Sequence, residues 1–103
     1  MQRARQRYEG LLDDFRDRAV DGPGRLDVAV RRAAFAGEPV PAELSPYVEK
    51  VRQHAYKVVD HDVEALHEAG VTDDQLFELT VATALGAGFS RLAAALRAME
   101  DQG

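Results

Sequence analysis

Two histidines and four acids crowd residues 59–70, VDHDVEALHEAG: Asp60, His61, Asp62, Glu64, His67 and Glu68. Imidazole and carboxylate side chains can ligate a metal or move protons near neutral pH. Glu64 and His67 stand as E-x-x-H, which on a helix puts both on one face. Two copies of that motif with two further glutamates hold a pair of irons in carboxylate-bridged bundles. This chain has one copy. A symmetric dimer would bring the second, with Glu43 or Glu49 as the extra carboxylate. Against an inward site, Leu66 takes the core direction beside His67. The competing reading is that His61, Glu64 and Glu68 form a solvated stripe, and it is the stronger one for His67 and Glu68.

Other chemistries are poorly provided for. His54 and His61 lie seven apart and share a face only if one helix runs through both. Ser45 is accounted for as a helix cap. Ser90, in GFSRL, matches only part of a nucleophile elbow and has no strand before it. The GAG at residues 86–88 lacks the preceding strand and third glycine of a dinucleotide fingerprint. There is no cysteine, so disulfides, thiolate catalysis and thiolate-ligated zinc or iron–sulfur centres are excluded. No cofactor is expected.

A chain of 103 residues suits one domain with a modest core. With 46% hydrophobic and 30% charged residues, it reads as a folded, water-soluble chain rather than a disordered one. No uninterrupted apolar run reaches the roughly 20 residues of a bilayer span. The charged start MQRARQRYEG has no apolar stretch behind it, so a cytoplasmic location is expected. Net charge is −5, with residues 1–36 at +2 and residues 37–103 at −7. An acidic main body repels phosphate backbones, so neither nucleic acid nor membrane is an expected partner.

The elements that would position these residues are all helical. Tyr8, Leu11, Leu12, Phe15 and Ala19 mark one face of a helix over residues 4–20, ended by DGPG. A second helix is expected over residues 25–36, with Leu26, Ala29, Val30 and Ala33 inward and Gly37 closing it. Pro39 and Pro41 make an extended connector. Ser45 caps a third helix with Pro46 in its first turn; Val48, Val51, Ala55 and Val58 face inward. A break is expected between Lys57 and Asp60, with Asp60 capping a helix to Ala69 that buries Val63 and Leu66. Thr72 caps the next helix, whose inward stripe is Leu76, Phe77, Thr80, Val81, Ala84 and Leu85. The GAG then interrupts it, and a last helix carries Phe89, Leu92, Ala93, Leu96 and Met99. With no strand-like alternation and no repeat, the expected fold class is all-α, one domain of five or six helices.

From residue 43 onward the chain resembles the AhpD-like, carboxymuconolactone decarboxylase-like proteins. AGVTDDQLFELTVATALGAGFSRLAAALRAM carries the likeness: Ala-Gly ending a helix, a capped helix with Leu-Phe-Glu, an alanine-rich stretch and a closing helix. It covers residues 43–99; the helical pair of residues 1–36 lies outside it. The family's redox pattern is a glutamate, a C-x-x-C pair, a relay histidine and a later glycine. Aligning the glycine with Gly70 puts the histidine position on Asp62, the cysteine positions on Val58 and Ala55, and the glutamate on Glu43. His61 is one residue from the relay position.

Thiol exchange needs a thiolate to attack sulfur, and Ala55 and Val58 offer none. Disulfide reductase or peroxidase activity is therefore excluded. The resemblance also implies a trimeric or higher assembly and includes decarboxylase-like members without cysteine. Glu43, His54, His61 and Asp62 are the catalytic candidates for such chemistry, with Lys57 or Arg52 as the cation facing an acidic substrate. The expected function is a non-catalytic homo-oligomeric binding or assembly module, with a small-molecule ligand as a second class of partner. The alternatives are a cysteine-independent lyase or decarboxylase of a small carboxylic acid, and an iron-binding dimer using Glu64 and His67.

Overall fold

The computed structural model describes the backbone of residues 2–102, and side chains at residues 6–7 and 9–101. The inward position expected of Tyr8 lies outside the described side chains. Five α-helices follow in order, and no strand occurs among the described residues. They are α1 (Gln2–Arg16), α2 (Val28–Ala36), α3 (Ser45–His54), α4 (Asp60–Glu68) and α5 (Asp73–Gln102). A π-helical turn, Asp17–Asp21, continues α1, and a 3-10 turn, Ala55–Lys57, continues α3.

Local chemistry sets most boundaries. Asp27, not Arg25, opens α2, its carboxylate accepting from the Ala29 N–H at 2.8 Å. Gly37 closes α2 at φ 75°, the left-handed conformation that costs glycine least. Leu44 occupies the cap position of α3, so Ser45 and Pro46 lie inside its first turn and the serine makes no cap. Thr72 and Gln75 cap α5 reciprocally: the Gln75 N–H donates to the threonine hydroxyl at 3.2 Å and the Thr72 N–H to Gln75 Oε1 at 3.0 Å.

The largest departure from expectation is α5. The GAG does not interrupt it; Asp73–Gln102 is one helix of 30 residues, about 45 Å long. The glycine serves an approach instead of a bend. Gly86 is buried where α5 crosses α2, and a Cβ there would lie 2.7 Å from the Phe35 carbonyl carbon. The core face of α5 is accordingly its small-residue face: Leu79, Ala82 and Thr83 are fully buried, with Gly86 and Ala87 beside them. That corrects the expected stripe. Phe77 is 70% exposed and Ala84 exposed, while Leu76, Thr80, Val81 and Leu85 are half-buried. Close backbone packing against α2 and α3 selects small side chains and turns the bulky face outward.

Around that crossing the core gathers Ala34, Leu44, Tyr47, Val48, Val51, Leu66 and Leu79. Half-buried Leu26, Val30 and Val58 pack on it as expected. Ala29, expected inward, is exposed. The inward positions of α2 are Ala34 and, unforeseen, Arg31. Arg31 is 2% exposed and donates from Nε to the Leu26 carbonyl at 3.1 Å. Glu78 on α5 fastens the same region, accepting from the N–H groups of Arg25 at 2.9 Å and Leu26 at 3.1 Å.

Joined into one helix, the apolar segments read separately in the sequence acquire a new property. An 18-residue window of α5 reaches a mean hydropathy of 1.4, so the helix is long and apolar enough to cross a membrane by length and composition. Its small-residue face is nonetheless a core face, as it is in helices that never enter lipid.

Candidate functional site

The candidate residues converge, where they converge at all, on the α3–turn–α4 hairpin. α3 ends at His54, whose φ of −145° and ψ of 54° leave helical geometry. The 3-10 turn and an extended Val58–Val59 then reverse the chain. The break falls where the sequence places it, with one difference at the new helix start. Asp60 is the first residue of α4, and the carboxylate that secures the start is Asp62, accepting from the Val59 N–H at 2.9 Å.

Asp62 is the best-held of the four catalytic candidates. Lys50 Nζ donates to both its oxygens, at 3.0 and 3.1 Å. The Val59 N–H, then Lys50, then the nearby His61 hold its carboxyl below the ordinary aspartate range. Lys50 is not among the candidate cations; Lys57 and Arg52, named to face an acidic substrate, are engaged elsewhere. Lys57 lies over the Tyr56 ring, 5.9 Å from its centroid. Arg52 binds the Ala34 and Phe35 carbonyls at 3.2 and 2.7 Å, satisfying the end of α2. The turn between the helices brings position 62 within reach of position 50, twelve residues earlier in the chain.

The other candidates are not brought to Asp62 as a set. His61 precedes it and is exposed on α4, and His54 is exposed with its ring edge-on to Tyr56 at 6.0 Å. Glu43 is exposed in the turn before α3. The ten residues of α3 set it about 15 Å from the Ala55 end. Ala55, expected on the inward stripe, is exposed because α3 stops before it; Val58 packs against the core. The two positions aligned with cysteines thus face different surroundings.

Glu64 and His67 are both exposed on α4. His67 Nε2 lies 2.6 Å from Asp73 Oδ1 at the start of α5, an ion pair when the ring is protonated. Among the described residues no group of three or more His, Asp or Glu side chains is gathered for a metal.

A second surface was not anticipated as a site. Leu12 of α1 and Val81, Leu85, Phe89 and Leu92 of α5 line an open, almost wholly apolar groove of about 420 Å³. Beside it Leu11 and Phe15 are each 61% exposed. The sequence signal was present, since α5 carries apolar residues on two faces, but nothing in the pattern says which face the core takes.

No family model, curated protein or solved structure matches this chain.

One consequence of the Asp62 geometry is directly measurable. Its carboxyl carbon, followed by NMR, is expected to titrate below the ordinary aspartate value. Lys50→Ala should return part of that displacement, because the Val59 N–H, the largest single cause, remains. Full return would assign the displacement to the lysine instead.

Proposed function

We propose that this chain is an AhpD-like protein without the family's redox centre, acting in the cytoplasm as a homo-oligomeric binding or assembly module. The observation that carries the reading is the outward apolar face. Leu11, Phe15, Phe77, Leu92 and Met99 are all more than 40% exposed, while the core is built on the small-residue side of α5. Large apolar side chains exposed beside an open apolar groove on a small domain favour an interaction site.

The hairpin supports a non-catalytic reading. A general base near neutral pH benefits from a raised carboxylate pKa, whereas Asp62 is displaced downward and engaged by Lys50 and a backbone N–H. Its engagement is that of a group fixing a helix start. The missing thiols remove redox exchange on chemical grounds alone.

Sedimentation velocity between about 1 and 100 μM tests the assembly, a range that brackets typical specific self-association. A species of two or more chains is expected, with no turnover of lactone or keto-acid substrates. A chain monomeric throughout that range, or a turnover abolished by Asp62→Asn, would reject the reading.

A further inference from the structure

We infer that the apolar seam of α1 is covered by α1 of a second copy, the two helices running antiparallel about a two-fold axis between residues 9 and 10. This rests on the assembly reading above and names its contact. Among the described residues, α1 makes its substantial contacts with the π-helical turn that continues it, and Leu12 reaches the groove. A 15-residue helix is marginal in water without a packed face, so its seam requires an occupant.

The sequence of α1 specifies a copy of itself. Ala4, Tyr8, Leu11 and Phe15 recur at intervals of four, three and four, the spacing of a coiled-coil seam. Antiparallel pairing that brings positions 8 and 11 together across the axis also brings Arg7 of each chain to Asp14 of the other. Both residues are exposed and lie on the same flank of the seam. Parallel pairing sets Arg7 against Leu12 and Asp14 against Ala19, with no ion pair. The whole helix repeats the preference: Arg3, Arg5 and Arg7 precede Glu9, Asp13 and Asp14, so head-to-tail reversal opposes unlike charges. Such a contact is isologous. Alone it closes a dimer, and combined with a threefold contact it closes a hexamer. The groove beside α1 would be sealed by the same approach. Lipid is a poorer occupant, because Arg91 and Arg97 interrupt the outer half of α5.

Charge reversal reads this contact without disturbing the core. Arg7→Glu and Asp14→Arg, each placing like charges at two sites per dimer, should each weaken self-association about tenfold at low salt. The double variant should return to within about threefold of the parent. A stable assembly in which the singles have no effect, or the double gives no rescue, overturns the α1 pairing and leaves the assembly reading standing. So does a strictly trimeric chain. A monomer at all concentrations overturns both, as does monomeric protein that instead co-sediments with phosphatidylcholine vesicles.

Discussion

Gly86→Ala is expected to remove about 3 kcal/mol of stability, the upper end of what overpacking costs. The obstacle sets the size. The added methyl would meet the Phe35 carbonyl carbon and Cα at 2.7 and 2.8 Å, atoms of α2's own backbone that cannot rotate away. The Phe35 oxygen also accepts from Arg52 at 2.7 Å, so displacing it disturbs the end of α2 and its tie to α3 together. For a chain of this length, that loss lowers the melting temperature by roughly 15 °C. Gly10→Ala is the matched control: nothing lies within 4 Å of the added carbon there. That substitution should raise helicity in α1 by the ordinary alanine-for-glycine preference of about 1 kcal/mol. Urea unfolding of both variants decides the matter. Equal, small effects would mean that α5 and α2 do not meet at Gly86.

The same glycine shows what a linear pattern can and cannot carry. Period and capping signals placed α1 to α4 and the start of α5, because they act within a few residues: Gly37, Thr72 and the Lys57–Asp60 break all do locally what their chemistry demands. A glycine pair in mid-pattern has two physical uses, breaking a helix or letting another come close. Only the position of α2 selects between them. The choice then propagates. Once α5 is continuous and presses its small residues onto α2, Phe77, Ala84 and Leu92 are turned outward and the inward stripe expected from bulk alone is only half-buried. Arg31 was illegible for a related reason, since an arginine at an inward position reads as an error until its partner, 47 residues on, is known to lie beside it. At the turn between α3 and α4, the pairing of Asp62 with Lys50 joins residues twelve apart on two helices, and it becomes visible only once the turn between them is placed.

Glu78→Ala is expected to cost about 3 kcal/mol, the scale of breaking a buried charged arrangement from one side. Two backbone donors, the N–H groups of Arg25 and Leu26, would lose their acceptors, and the Arg31 guanidinium would lose a carboxylate 3.9 Å away. At that separation the ion pair is the lesser part. A Glu78→Leu/Arg31→Met pair, which removes both charges, should therefore recover only some of the loss, the two N–H groups remaining unmet. The pH dependence identifies the cause. Burial pushes the Glu78 carboxyl up, but the two N–H donors and Arg31 outweigh it, and its value falls below the ordinary glutamate range. A carboxyl lowered in the folded state binds fewer protons there than in the unfolded chain. Its contribution is thus complete above the unfolded value and disappears as pH falls through the folded one. Chemical denaturation of wild type and Glu78→Gln should show a constant gap from neutral pH down to about 5, narrowing as pH falls below the ordinary glutamate range. Because Glu78 fastens the segment joining α1 to the body, the variant should also lose protection from amide exchange first at residues 22–27. A gap independent of pH would assign the stability to the shape of the side chain and not to its charge.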